Sequence, residues 1–257
     1  MTKLPDDLSP TGWYNRFRIQ AEWTQTIRQR LYQRTKVKAA RRVLEVGCGP
    51  GVLTAELSHL ARARIFGLDI SQDFLKLAHS LDSKTQYIGG DGTGLPFRPQ
   101  AFDLTFCHFL LLWVKNPLEV LLEMRRVTRK GCPLVAMAEP DYGGRIDYPE
   151  ELGGLGRLEI EGLQREGANP FLGRKLASLF LQAGLSDVET GILGAEWHHP
   201  STFDWMSEWQ VMDPDLNGII SIKHLDKLKG IDKGAWLSGE RILFVPTFYA
   251  IGWVSNK

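Results

Sequence analysis

Three glycines, Gly47, Gly49 and Gly51, stand at alternate positions directly after the apolar run RVLEV, and Glu45 precedes the first of them by two residues. A backbone can approach a ligand closely where side chains are absent, and glycine also permits positive φ. The segment VLTAELSHLA that follows reads as a helix. Its first turn offers unpaired N–H groups and a positive dipole end. Two further acids close successive apolar runs: Asp69 ends ARIFGLDI, and Asp91 follows TQYIGG. Carboxylates accept strong, charge-assisted hydrogen bonds from hydroxyl, amino and ammonium groups. These acids suit a positively charged nucleoside, whereas a pyrophosphate would be repelled by Glu45. The spacing G-x-G-x-G also departs from the G-x-G-x-x-G of dinucleotide sites. A nicotinamide-dependent oxidoreductase and a non-catalytic binding module are the rival readings at this point.

Positioning such residues takes parallel strands that all end at one edge. RVLEV, ARIFGLDI, TQYIGG, FDLTFCHFLLLW and CPLVAMAEP read as strands, alternating with helical segments. Strand-helix alternation predicts an α/β fold, a parallel sheet with helices on both faces. The near-continuous apolar runs fit strands buried on both sides. In such sheets ligands bind beyond the carboxyl ends of the strands. Ser71 and Asn116 are expected helix caps, the latter followed by Pro117. WYNRFRIQAEWTQTIRQRLYQRTKV reads as one N-terminal helix with Phe17, Ala21, Thr24, Ile27 and Leu31 on a single face. Beyond residue 140 the rhythm breaks. A helix is expected near 156–166 and another in FLGRKLASLFLQAGL, then a strand in SDVETGILGAEWH. Residues 199–239 read as irregular. RILFVPTFYAIGWV closes the chain as a strand run, with Pro246 at an edge or bulge.

The motifs together resemble the class I S-adenosylmethionine-dependent methyltransferases. EVGCGPG resembles their first motif, and Asp69 stands where the family has an acid for the ribose. GGDGTGLPF matches the third-strand signature and AFDLTFCHFLLLWV the fourth. EMRRVTRKGCPLVAMAEP is similar to the E-x-x-R-V-x-x-x-G-G segment, with Cys132 at its second glycine. These matches run in order over residues 41–140. The resemblance implies a Rossmann-like three-layer sandwich: a seven-stranded, mostly parallel sheet with an antiparallel last strand, plus lid insertions. It implies a single methyltransferase domain over 1–257. Residues 1–40 would be a helical cap, 41–140 the cofactor-binding half, and 141–257 a substrate-side half with insertions near 141–170 and 199–239.

Carried over by position, the resemblance implies that Gly47, Gly49 and Gly51 line the methionine and ribose of S-adenosyl-L-methionine. Glu45 would face its ammonium, Asp69 the ribose hydroxyls and Ile70 the adenine. Asp91 would accept from the adenine amino group, with the Gly92 N–H near a ring nitrogen. Cys107 and His108, after the fourth strand, would meet the methionine part. From the N-terminal helix, Tyr14, Arg18 or Gln20 is expected at the cofactor's carboxylate. For the acceptor side the candidates are His108, Asp141 and Tyr142, with Glu139, Arg145, Asp147, Arg174, His198 and His199 behind them. A general base is needed where the nucleophile must lose a proton. Trp197, Trp205 and Trp209 are candidates for an aromatic lid.

The remaining expectations come from composition. Net charge is +1, with 31 basic and 30 acidic residues, so nothing favours nucleic acid or an anionic membrane. Three cysteines give neither a disulfide framework nor a zinc site, and no metal is expected. The start MTKLPDDLSP has no apolar signal core, and FCHFLLLWV is too short to span a bilayer. A cytoplasmic enzyme with a small-molecule methyl acceptor is expected. Its oligomeric state, a homodimer included, is left open.

Overall fold

The computed structural model describes residues 9–194 and 205–255, so the candidates Trp197, His198 and His199 lie outside the described residues. Nine strands occur among them: β1 Arg42–Val46, β2 Arg64–Asp69, β3 Gln86–Gly89, β4 Leu104–Cys107, β5 Pro133–Pro140, β6 Ile146–Tyr148, β7 Leu185–Ile192, β8 Ile242–Phe244 and β9 Thr247–Val254. Seven of them make one sheet in the order β3-β2-β1-β4-β5-β9-β7. β9 runs antiparallel to both of its neighbours, and the other pairs are parallel. β1 lies between β2 and β4, so successive crossovers leave it in opposite directions. That switch point opens a crevice beyond its carboxyl end.

The pleat of β1 explains the two helical layers. Leu44 and Val46 point to one face and pack with Val120, Leu121 and Met124 of α5 (Pro117–Val127) and Phe180 of α7 (Leu176–Gln182). Val43 points to the other face. There it joins Ile27 and Leu31 of α2 (Gln25–Arg34) and Leu53 and Leu57 of α3 (Val52–Leu60). Each fully buried aliphatic or aromatic side chain contributes about 1.5–3 kcal/mol by leaving water. α4 (Gln72–Leu81) starts where the Ser71 hydroxyl accepts the Phe74 N–H at 3.3 Å.

The N-terminal segment is two helices and not one. α1 (Pro10–Trp23) starts at a Ser9 cap with Pro10 in its first turn, and it stops at Thr24. The Thr24 hydroxyl lies 3.2 Å from the Ala21 carbonyl and 3.3 Å from that of Gln20, a local bond that competes with the helix ladder. α1 crosses the glycine turn and packs Trp13 and Phe17 against Phe74, with ring centroids 6.3 and 5.8 Å apart.

Residues 205–239, expected to be irregular, hold two helices, α8 (Met206–Leu216) and α9 (Ile222–Ser238). Pro214 in the first and Gly230 and Gly234 in the second weaken the local helix signal. Tertiary packing supplies what propensity lacks. With α6 (Leu155–Arg165) they bury a core of their own, Leu152, Leu155, Trp209, Met212, Leu216 and Leu228. The closing strand run splits at Pro246, which has no N–H to donate. Its first part, β8, pairs antiparallel with β6 as a two-stranded ribbon.

Buried ion pairs join ribbon and helices. Arg145 meets Asp147 and Glu159, and Arg241 meets Asp147 at 2.8 Å and Asp232 at 2.5 Å. Arg16 of α1 reaches Asp215 of α8 through two hydrogen bonds of 2.9 and 2.8 Å. Among the described residues no helix is long and apolar enough to cross a membrane.

Candidate active site

The glycine turn adopts the backbone its composition requires: φ is +73° at Gly47, +51° at Gly49 and +83° at Gly51. A Cβ at Gly47 would stand 2.5 Å from Leu110, and one at Gly51 2.4 Å from the Tyr87 hydroxyl. At Gly49 it would meet Phe17 of α1 at 3.2 Å. The loop is therefore sandwiched between α1, the loop after β4 and the α4/β3 side. The Gly47 and Cys48 N–H groups both donate to the Leu68 carbonyl, at 2.8 and 3.0 Å, which ties the turn to β2.

Asp69 is buried at the tip of β2. Its Oδ2 accepts the Gly49 N–H at 2.8 Å and its Oδ1 the Ser71 N–H at 2.9 Å. Burial pushes its carboxyl above the ordinary range, against the pull of those N–H donors. Each oxygen still has a lone pair for a further donor. Ile70 beside it is 45% exposed, an unusual placement for a large aliphatic side chain and one that suits contact with a flat ring. Asp91 is exposed, and its Oδ1 accepts the Thr93 N–H and hydroxyl, both at 2.9 Å. These bonds hold it below the ordinary range, so it is ionised. Gly92 packs against Val46, which a Cβ would approach to 3.3 Å.

Glu45 faces the α2/α3 side of the sheet and is buried, and its Oε2 has no partner in the protein. Burial raises its carboxyl well above the usual range, and Glu56 and Asp69 add to this, while Arg28 opposes it. Arg28, itself buried on α2, donates through Nη2 to Glu56 Oε2 at 2.6 Å. Its Nη1 donates to Thr24 Oγ1 at 2.7 Å and to the Ala21 carbonyl. Thr24 Oγ1 in turn lies 2.8 Å from Nε2 of His108, which is half-buried. Burial and Arg28 hold the His108 imidazole well below its ordinary value, so it is neutral. Cys107 is fully buried, and burial with Glu139 and Glu45 pushes its thiol well up, which rules out a thiolate nucleophile.

Glu139 is fully buried on β5 and serves the loop after β4. It accepts the N–H groups of Leu110, Leu111 and Leu112 at 3.0, 2.8 and 3.2 Å. It thereby sets Leu110 against Gly47.

Several expected residues go elsewhere. Arg18 lies exposed on the outer face of α1 and pairs with Glu22, because the face that packs inward carries Trp13, Arg16 and Gln20. Tyr14 is half-buried and Gln20 buried on the same helix. The Asp141 carboxylate accepts from the Gly143 N–H at 3.1 Å and from the Arg174 Nη2 and Nε groups, so it caps the turn at 142–144. Tyr142 is buried, and burial with Glu159 and Asp215 raises its hydroxyl well above the ordinary value, so it keeps its proton. Arg145 and Asp147 belong to the buried ion network that joins the β6/β8 ribbon to α6, α8 and α9. Trp209 is buried there, with its Nε1 donating to Asp232 at 2.9 Å. Among the described residues no group of three or more His, Cys, Asp or Glu is placed to hold a metal. Sequence reasoning missed Arg28 and Glu56. Their signal was an arginine four residues after Thr24 on the inward face of the N-terminal segment.

A methyltransferase-domain family profile matches residues 44–136, the stretch from β1 to β5. The demethylmenaquinone methyltransferase of Bacillus licheniformis is 31% identical over 208 residues, covering 72% of this chain and 83% of that protein. The chain belongs to the class I S-adenosylmethionine-dependent methyltransferases. A Legionella pneumophila malonyl-acyl-carrier-protein O-methyltransferase is 34% identical over 122 residues, covering 45% of this family member and 43% of that protein. The first four curated relatives are matched over 43–59% of their own length. Haemonchus contortus phosphoethanolamine N-methyltransferase 2 shares the fold of this class I chain, with TM-score 0.63 at 14% identity. The match covers 98% of this chain and 62% of that one. The family's cofactor is S-adenosylmethionine, and the residues here fit it: a turn without side chains, a buried carboxylate oxygen that lacks a partner, and a second carboxylate one strand over.

Proposed function

We propose that the chain transfers a methyl group from S-adenosylmethionine to a small organic acceptor. The unpartnered, buried Oε2 of Glu45 carries this reading. A buried polar atom without a partner costs about 1–3 kcal/mol, and an ammonium group at that place removes the cost. When bound, the cofactor supplies an electrophilic methyl on a sulfonium. Asp69 accepts from the ribose hydroxyls, Ile70 packs on the adenine, and Asp91 with the Gly92 N–H reads its edge. Gly47, Gly49 and Gly51 admit the methionine and ribose, with Cys107 contributing packing and backbone. α1 closes over the site with Phe17 and brings Tyr14 and Gln20 to the same side. Acceptor contacts come from the loop after β4, with His108.

The chain's contribution to rate is placement and the exclusion of water. The lid helices and their separate core support an enclosed, small acceptor. So do the relatives, whose names carry demethylmenaquinone and phosphoethanolamine. In this reading residues 1–257 work as one methyltransferase unit in the cytoplasm, where its three unpaired cysteines stay reduced. Incubation with S-adenosylmethionine carrying a radiolabelled methyl, across a panel of phenols, quinols, amines and carboxylic acids, tests this. Label transferred to one class supports it. Tight cofactor binding with no transfer to any acceptor would overturn the catalytic reading in favour of a binding module.

A further inference from the structure

We infer that Arg28 and Thr24 fix His108 as its Nδ1–H tautomer, so that the ring offers a ligand a hydrogen-bond donor and takes no proton from it. The relevance to methyl transfer rests on the reading of the loop after β4 as part of the acceptor site.

The donors and acceptors around Thr24 Oγ1 decide the tautomer. A guanidinium has donors and no acceptor. Arg28 Nη1 donates to Thr24 Oγ1 at 2.7 Å and so takes one lone pair of that hydroxyl. Thr24 has a single hydroxyl proton and three acceptors near it: the Gln20 carbonyl at 3.3 Å, the Ala21 carbonyl at 3.2 Å and His108 Nε2 at 2.8 Å. Hydroxyl-to-carbonyl hydrogen bonds span about 2.5–3.0 Å, so both carbonyl contacts are long, and the Ala21 carbonyl already accepts the Thr24 N–H and Arg28 Nη1. The proton therefore belongs on the line to Nε2. The opposite arrangement would have Oγ1 accept from both Nη1 and an Nε2–H, and would leave its own proton to the two longer contacts.

Arg28 is not free to move away. Its Nη2 is held by Glu56 at 2.6 Å and its Nη1 also by the Ala21 carbonyl, all on buried or half-buried ground. The cation also disfavours an imidazolium at His108, and the ring is held edge-on to Phe109 with centroids 4.6 Å apart. A neutral imidazole with an accepting Nε2 carries its proton on Nδ1. The role of general base, open to His108 from sequence, passes from it. An acceptor bound here has a nucleophile that arrives without a proton to lose, or that loses it elsewhere. Thr24 and Arg28 act through His108 and are positioning residues.

Long-range proton–nitrogen correlation NMR on the full chain with nitrogen-15 histidine reads the tautomer directly. His108 is one of six histidines, and His108→Gln identifies its signals by their loss. The expected spectrum at neutral pH has a pyridine-like Nε2 and a pyrrole-like Nδ1. Thr24→Val is expected to shift His108 toward the Nε2–H form, and Thr24→Ser to keep the wild-type pattern. A protonated Nε2 in the unsubstituted chain, or a Thr24→Val spectrum identical to it, would overturn the inference. The unsubstituted measurement needs no variant to fold. It is made without cofactor or acceptor, so its outcome is independent of whether the chain transfers methyl groups.

Discussion

The N–H of Gly49 donates to Asp69 Oδ2 at 2.8 Å. One carboxylate thus braces the bend that leaves room for a ligand, while its other oxygen takes the Ser71 N–H at the start of α4. The strand tip and the turn are a single hydrogen-bonded unit, and the acid proposed for the ribose is positioned before any ligand arrives.

Asp69→Ala removes two charge-assisted bonds and the proposed acceptor of the ribose hydroxyls. Hydrogen bonds to charged groups contribute about 1.5–3 kcal/mol each, so with two ribose hydroxyls the Kd for S-adenosylhomocysteine should rise by about a hundredfold to ten-thousandfold. Titration calorimetry checks this, and an unchanged affinity counts against the assigned role.

Gly51→Ala forces a left-handed residue into a space where its Cβ would lie 2.4 Å from the Tyr87 hydroxyl. The conformation costs about 1–2 kcal/mol and the overpacking about 1–3 more. Thermal unfolding should show a lowered Tm, and adding Tyr87→Phe should recover part of it by removing the oxygen.

Asp215→Ala strands Arg16 in the interior between α1 and α8. Breaking a buried pair from one side costs about 3–5 kcal/mol, while replacing both partners by apolar residues costs much less. Urea denaturation of Asp215→Ala against Arg16→Met/Asp215→Leu separates the two. Equal stability of the single and double variants would show that the pair does not hold α1 to α8.

Glu139 gives a pH prediction with a definite sign. Burial pushes its carboxyl from the ordinary 4.5 up to about 8, although three N–H donors pull the other way. Between those values the folded state holds a proton that the unfolded state has lost, so stability from this group falls as pH rises through the window. Denaturation midpoints from pH ~5 to ~8 should decline. Glu139→Gln should decline less steeply, whatever its absolute stability.

The sheet was legible because its information is local. RVLEV and PLVAMAEP are apolar on both faces, and the chain can bury such strands in few other ways. The glycine turn was legible because its three residues accept the φ of +73°, +51° and +83° that side chains resist. The helices α8 and α9 were not, because their order comes from partners far apart in the chain. Arg16 meets Asp215 across 199 positions and Arg241 meets Asp147 across 94. α9 does carry a Ser221 cap and a Gly239 stop, but Pro214, Gly230 and Gly234 outweigh them in the local signal. Arg28 was missed for a related reason: an arginine within a polar helical run reads as solvated. Its burial depends on Glu56, Thr24 and Glu45 converging from α3, the helix break and β1. Arg18, the arginine expected at the ligand, takes the wet face that Arg28 avoids.

Crystals of the chain grown with S-adenosylhomocysteine test the central claim most directly. The account predicts density along the glycine turn, with both ribose hydroxyls on Asp69 and the amino-acid ammonium on Glu45 Oε2. Density that leaves both carboxylates untouched, or a phosphate-bearing nucleotide seated over Gly47 to Gly51, would contradict it.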